Sequence, residues 1–114
     1  MDVRSLVGIP GFTLLNEGNM DLKIQTPFCC DLLSIAMSKA PGNAAWVTIM
    51  GNINTIAVVT LIEASCLILA EGAKLDEPAL ERAKSEEITI FTTDMPIFEA
   101  ALLIYQAIHD TNRI

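Results

Sequence analysis

The sequence is poor in the residue types that most directly indicate a catalytic or phosphate-binding site. It contains one histidine, His109, and six glycines among 114 residues. Neither GxGxxG nor GxxxxGKS/T occurs, which excludes the two common glycine-rich phosphate loops. No Ser, Cys or Asp stands at a spacing from His109 that indicates a catalytic triad. We therefore predict no catalytic residue and no cofactor.

Cysteines are few and poorly spaced for a structural role. Cys29, Cys30 and Cys66 are odd in number, two of them are adjacent, and no CxxC pair or second His/Cys cluster accompanies them. This pattern argues against a disulfide framework and predicts no metal site. Buried free thiols are the better interpretation.

Charged residues are also scarce, at 18%, whereas hydrophobic residues make up 52% of the sequence. The net charge of −7 gives no basic surface of the kind that binds nucleic acid. The longest uncharged run, 40–62, contains Pro41, Gly42 and Gly51, so it is a poor membrane span. The N-terminus lacks a signal-peptide pattern, and we expect a cytoplasmic protein.

Short apolar runs alternate with helical patterns, which is typical of an α/β sheet with crossover helices. We predict a single domain over 1–114, with the orientation of its first two strands left open. The predicted strands are 12–15, 22–26, 46–50, 66–70 and 88–91, and the predicted helices are 2–7, 32–40, 52–64, one that begins at Asp76, and one from Thr93 or Asp94 to His109. Segment 52–64 is assigned to a buried helix because parallel strands need a crossover connection.

Two aspartates stand where helix N-caps are expected. The carboxylates of Asp31 and Asp76 can accept hydrogen bonds from the unpaired N–H groups of a first helical turn. Leu75 and Leu80 around Asp76 have the spacing of a hydrophobic staple. The predicted role of both aspartates is therefore structural.

Polar residues follow four of the predicted strands. In an open α/β sheet, ligands bind outside the carboxyl ends of the strands and beside helix N-termini. The candidate ligand-binding residues at these ends are Asp31, Asn52, Asn54, Gly72, Thr92, Thr93 and Asp94. Their hydroxyls and amides suit a small polar ligand, but turns and caps use the same residue types, and both interpretations stay open.

The last predicted helix is apolar on more than one face. One stripe contains Ile97, Ala101, Ile104 and Ile108, and a second contains Phe98, Leu102 and Tyr105. The final element of a small domain usually keeps one face exposed, so we predict that the second stripe forms a homodimer interface. A helix wedged between two layers is the alternative.

Several short segments occur in an order that resembles the DRTGG domain family. They are 31–34 (DLLS), 46–49 (WVTI), 52–59, 67–72 (LILAEG), 92–94 (TTD) and 98–101 (FEAA). The resemblance covers residues 2–108, although the five-letter string that names the family is absent. It implies a three-layer α/β/α fold with a mostly parallel sheet of about five strands, similar to the N-terminal domain of HPr kinase/phosphorylase.

In phosphotransacetylases and CBS-containing pyrophosphatases, the resembled domain is a regulatory or assembly module, and catalysis resides elsewhere. The missing catalytic set and the polar strand-end loops, together with this resemblance, lead us to expect a stand-alone, non-enzymatic regulatory or assembly module that dimerises and senses a small anionic or nucleotide-like ligand. Two alternatives stay open. One is a pure interaction module with a protein partner and no ligand. The other is a small enzyme that uses Asp31, Glu71 or Asp94 for acid–base chemistry.

Overall fold

The computed structural model of this chain describes residues 1–110, so the last four residues of the predicted domain lie outside the described part. Five strands form one sheet in the order β1-β5-β4-β3-β2. Their bounds are Thr13–Asn16 (β1), Thr26–Cys29 (β2), Ala44–Thr48 (β3), Cys66–Leu69 (β4) and Ile90–Thr92 (β5). Strands β2 to β5 are parallel, and β1 pairs antiparallel with β5. The predicted sheet is confirmed, and the orientation of the first two strands is established.

Helices cover both faces of the sheet and give a three-layer α/β/α arrangement. A short 3-10 helix spans Val3–Gly8, and the α-helices are Leu33–Lys39 (α1), Ile53–Leu61 (α2), Glu77–Ser85 (α3) and Ile97–Asp110 (α4). One apolar core joins the sheet to the 3-10 helix and α4, and the other joins it to α1, α2 and α3. Within residues 1–110, none of the helices has the length and apolar character needed to cross a membrane.

The two cores meet at the central strands, where every residue of β3 and β4 is buried. Alternate side chains point to opposite faces of a strand. Val47 and Ile68 therefore belong to the core under α4, whereas Trp46 and Leu67 belong to the core under α2. The Trp46 indole N–H donates to the Cys30 carbonyl oxygen at 2.9 Å, which satisfies the only polar atom of the largest core side chain.

The segment predicted as a buried crossover helix is confirmed by α2. Its first turn is capped by the Asn52 side chain, whose Oδ1 accepts from the Thr55 N–H at 3.0 Å. Thr55, Ile56, Val58 and Val59 are all buried, because the helix packs against the sheet on one side and against α1 and α3 on others. Tertiary packing thus outweighs the strand propensity of its β-branched residues.

One predicted strand is displaced along the chain. We expected a strand at 22–26, but β2 starts at Thr26, and Lys23 makes only an isolated bridge to Asp2. The reason is that the N-terminal residues occupy the hydrogen-bonding groups of this segment. The Val3 N–H donates to the Leu22 carbonyl, and the Ile24 N–H donates to the Met1 carbonyl, both at 2.9 Å.

The helix starts also depart from the sequence predictions. Asp31 is not a cap: the N-cap of α1 is Leu32, which makes no side-chain cap bond. The N-cap position of Asp76 is confirmed for α3, but its side chain makes no capping hydrogen bond. The last helix begins at Ile97, after Pro96, instead of at Thr93 or Asp94. Thr93 instead accepts the Met95 N–H on its hydroxyl at 3.2 Å, which forms a turn before the helix.

A candidate ligand cleft at the edge of the sheet

A cleft of about 480 Å³ lies between the edge strand β1, the end of β5 and the start of α3. Because β1 is antiparallel, its first residue, Thr13, pairs with Thr92 at the carboxyl end of β5. Both threonines line the cleft. The three helices on this face leave β1 partly uncovered, and the side chains of Thr13 and Leu15 remain exposed. The cleft therefore lies where parallel-sheet proteins commonly bind ligands.

One wall of the cleft is the segment that connects β4 to α3. It is held at both ends, because the Gly72 N–H donates to the Thr93 carbonyl at 3.0 Å and the Asp76 N–H donates to the Gly51 carbonyl at 2.8 Å. Gly51 allows this close approach, since a Cβ there would overlap the carbonyl oxygen of Lys74. The backbone that carries Lys74 is thus fixed on the protein even though its side chain is exposed.

Gly72 shapes the rim of the cleft. Its φ of +70° lies in the left-handed region that favours glycine. A Cβ at this position would be in ordinary van der Waals contact with Oδ1 of Asp94, at 3.4 Å, and Asp94 itself is exposed at this rim. Asp94 and Lys74 are the charged residues that line the cleft, and neither forms an ion pair within residues 1–110. The cleft therefore presents one negative and one positive group to a ligand.

The other end of the cleft is apolar. Leu15, Leu75 and Leu80 line it. Leu15 occupies an irregular position in β1, where the pairing with β5 passes from Leu14 to Asn16. Bulges of this kind re-aim a side chain and often stand next to functional sites. The cleft is consequently polar at the strand ends and apolar along α3.

The structure brings four of the seven candidate ligand residues together. Gly72, Thr92, Thr93 and Asp94 line this cleft, whereas Asp31, Asn52 and Asn54 do not. Asn52 caps α2, and Asn54 lines a separate groove of about 620 Å³ between the helices α1, α2 and α3. Strand order accounts for Asp31, because this residue follows β2 at the edge of the sheet opposite β1, whereas Asn52 and Asn54 belong to the start of α2.

The three carboxylates considered for acid–base chemistry have separate surroundings. Asp31 accepts from the Thr48 hydroxyl at 2.7 Å and from the Ile49 N–H at 3.1 Å, so it joins the ends of β2 and β3. Glu71 accepts from the Ile97 N–H at the start of α4 at 3.4 Å. Of these three, Asp94 alone lines the cleft. Across the described chain, no group of three His, Cys, Asp or Glu side chains is placed to hold a metal ion.

Sequence reasoning missed seven of the eleven residues that line the cleft. Thr13, Leu15 and Gly11 come from the edge strand and the turn before it, and Lys74 and Leu75 come from a loop. No motif marks them, because their proximity to β5 depends on the antiparallel pairing of β1. The Leu75 and Leu80 pair was recognised only as a helix staple.

The predicted interface stripe on α4 is exposed. Phe98 is 72% exposed, Tyr105 is 50% exposed and Leu102 is 38% exposed. Ala100, Ala101 and Ile104 face the core. The ring of His109 lies 4.1 Å from that of Tyr105, between centroids. Other exposed apolar side chains are Leu32, Ile35, Met37, Ile53 and Leu61; of these, Met37 and Leu61 line the groove between α1 and α2, which we call the α1–α2 surface.

The cysteines are free thiols in different environments. Cys66 is buried in β4, and burial raises the pKa of its thiol to about 12. Cys29 is exposed at the end of β2, and partial burial together with the nearby Asp31 carboxylate raises its pKa above the ordinary value. Raised pKa values leave little thiolate at neutral pH, so neither thiol has the character of an activated nucleophile.

No protein-family model matches this sequence, and no curated protein matches it. Among solved structures, the chain is similar to the CBS and DRTGG domains of the regulatory region of Clostridium perfringens pyrophosphatase, complexed with the activator diadenosine tetraphosphate. The TM-score is 0.68 at 18% identity, over 84% of this chain and 42% of that one. This chain thus spans less than half of the matched structure's length. The similarity shows that the fold is of the DRTGG-like α/β kind.

Proposed function

We propose that this chain is a non-enzymatic regulatory module that binds a small anionic or nucleotide-like ligand in the edge cleft and dimerises through α4. The observation that carries the proposal is the cleft itself, which places the unpaired charges of Lys74 and Asp94 beside the hydroxyl of Thr92. The matched pyrophosphatase region is regulatory and holds a nucleotide activator, which supports the same ligand class.

The separate partners of the candidate carboxylates support a binding role over a catalytic one. General acid–base catalysis needs groups within hydrogen-bond reach of the same substrate. Asp31 joins two strand ends and Glu71 lies at the start of α4, so Asp94 has no second carboxylate beside it in the cleft lining.

We also propose that residues 1–114 form one domain and that the protein works in a reducing compartment, the cytoplasm. The cores on the two sides of the sheet share the same central strands, which supports one cooperative unit. Three free cysteines, one of them exposed, support a compartment in which disulfides do not form.

Thermal unfolding in the presence of nucleotides and acyl phosphates tests the ligand. A ligand at one hundred times its Kd stabilises the folded state by about 2.7 kcal/mol, which raises the Tm by roughly 10 °C for a chain of this size. The variant Thr13→Trp fills the cleft from the edge strand and should abolish the shift. Gln25→Trp, an exposed site before the opposite edge strand, should retain it. If none of these compounds raises the Tm, the proposed ligand binding is wrong.

A pure interaction module is the second function that a specific observation favours. Leu61 is 68% exposed on the α1–α2 surface, and Phe98 is 72% exposed on the opposite layer. Clustered exposed apolar side chains mark interaction sites. Co-purification from the native host distinguishes the two functions. A stoichiometric protein partner, together with no shift in Tm from any nucleotide or acyl phosphate, would support this alternative.

A further inference from the structure

We propose that the edge cleft recognises a ribonucleoside 5′-monophosphate, with Lys74 binding the phosphate and Asp94 accepting hydrogen bonds from the ribose hydroxyls. This inference rests on the proposed function, since it names the ligand class of the same cleft. It excludes di- and triphosphates as the preferred ligands.

The size of the cleft favours a single nucleoside. Small-molecule sites in proteins span roughly 300–1,000 Å³. The cleft, at about 480 Å³, lies in the lower part of that range. The anchored segment that carries Lys74 lines one side of it and β1 lines the other, so a single nucleoside matches its size better than a dinucleotide.

The charge of the cleft limits the number of phosphates. Lys74 is the cation among the lining residues, and Asp94 is the anion. The first turn of α3 offers no further anion site, because Asp76 and Glu77 already stand there and Pro78 has no N–H. The whole chain carries a net charge of −7, which repels each added phosphate more strongly. A single lysine on a negatively charged protein therefore favours a ligand with one phosphate over a ligand with two or three.

The carboxylate of Asp94 selects for hydrogen-bond donors. An ionised carboxylate only accepts hydrogen bonds, and the hydroxyls of a ribose are donors that acidic residues at strand ends commonly bind. Asp94 is exposed at the rim of the cleft, beside Gly72. Thr13 and Thr92 are cross-strand partners that line the same cleft, and their hydroxyls can donate or accept as the sugar requires.

The apolar end of the cleft provides a surface on which the base of the nucleotide can pack. Leu15, Leu75 and Leu80 form a surface without charged groups, and a flat heterocycle buries apolar area against such side chains. Leucines select a base weakly, so the phosphate and ribose contacts provide most of the discrimination. The anionic group, the sugar and the base then have distinct positions along the cleft.

Isothermal titration calorimetry with three probes tests this inference. The probes are adenosine 5′-monophosphate, its 2′-deoxy counterpart and adenosine 5′-triphosphate, each in EDTA at constant ionic strength. Adenosine 5′-monophosphate should bind at least about tenfold tighter than either of the others. Lys74→Ala should weaken it about tenfold, and Asp94→Ala should remove the difference between the ribo and deoxy forms.

Exposed residues outside the cleft lining provide matched controls. Lys84→Ala on α3 and Glu99→Ala on α4 change the charge by the same amounts and should bind like the unmodified protein. Circular dichroism of every variant confirms that the fold is retained.

The outcomes separate the two proposals. Triphosphate binding as tight as monophosphate binding, or a ribose preference retained by Asp94→Ala, would overturn the inference while leaving the cleft a nucleotide site. If no nucleotide binds, the inference is wrong. The proposed function then survives only if an acyl phosphate raises the Tm of the unmodified protein and not that of Thr13→Trp.

Discussion

Single side chains at the strand ends show how a residue's surroundings decide its role. Asp31 and Asp76 have the same chemistry and the same predicted function, yet Asp31 holds two strands together and Asp76 makes no side-chain capping bond. The Thr48 hydroxyl that Asp31 accepts from is fully buried. A buried donor without a partner is more costly than a lost bond at a solvated helix end.

We therefore expect Asp31→Ala to lower the free energy of unfolding by about 1 to 3 kcal/mol, because it leaves Thr48 with an unpaired buried donor. Asp76→Ala should lower it by less than about 0.5 kcal/mol, since no side-chain hydrogen bond is lost. Urea denaturation at pH 7 measures both. A larger decrease in the free energy of unfolding for Asp76→Ala would mean that the Asp76 side chain caps α3 in solution.

The buried thiol of Cys66 makes stability depend on alkaline pH. Its pKa is about 12 in the folded protein, against an ordinary value of 9.0. Because the folded pKa is raised, this contribution is fully present below pH 9 and is lost as the pH rises towards 12.

Between pH 8 and pH 10 we expect the free energy of unfolding to fall by about 1 to 2 kcal/mol because of this group. Urea denaturation of the unmodified protein and of Cys66→Ala at the two pH values isolates it, because the other titrating groups are common to both. Equal pH slopes in the two proteins would show that the thiol is not buried as described.

At the scale of the elements, two helices end in the same unusual way. The residue after each C-cap, Glu63 for α2 and Glu87 for α3, has a φ of 56°. The next N–H groups, those of Ala64 and Ile88, reach back to the carbonyls of Val59 and Ala83, at 3.1 and 2.9 Å. This is the Schellman arrangement, which normally has glycine at the left-handed position. A glutamate there is strained and also faces the negative end of the helix dipole.

Glu63→Gly should consequently raise the free energy of unfolding by about 0.5 to 1 kcal/mol, after the greater flexibility of glycine in the unfolded chain is subtracted. Glu77→Gly, in the first turn of α3, is the matched control and should lower it by about 1 kcal/mol. Thermal or urea unfolding measures both. Destabilisation by Glu63→Gly would show that the glutamate side chain makes a compensating contact.

The whole molecule presents exposed apolar side chains on both of its helical layers. The stripe of Phe98, Leu102 and Tyr105 on α4 contains two aromatic residues, the type that dominates interface energetics. A two-fold interface is self-complementary, so one stripe can pack against its own copy.

Leu102→Glu should therefore convert a dimer into a monomer without loss of helical circular dichroism, because it places a charge on both sides of a desolvated contact. Sedimentation equilibrium over a range of concentrations measures the change. Leu61→Glu, on the exposed face of α2 in the opposite helical layer, is the matched control and should remain dimeric. A monomeric unmodified protein at high concentration would end the proposal, and a dimer that survives Leu102→Glu would move the interface to the α1–α2 surface.

The order and type of most elements were determined by local sequence. Turn residues, the N-cap position of Asp76 and the apolar runs of β3 and β4 act over a few neighbours, so their signals are visible in the sequence itself. The buried crossover helix α2 was predictable for a topological reason, because two parallel strands need such a connection. The amphipathic character of α4 likewise identified the stripe that remains exposed.

The tertiary structure alone decided which polar residues share a site. Strand order is set by pairing between distant segments: β1 joins the sheet beside β5, across most of the chain, and brings Thr13 and Leu15 to Thr92. The same order places Asp31 at the opposite edge of the sheet from Asp94, and Asn52 is used as the cap of α2, although all three residues follow strands. The N-terminal residues form hydrogen bonds with the segment before β2, and the strand therefore begins later, at Thr26. These outcomes depend on long-range hydrogen bonds and packing, and no local pattern encodes them.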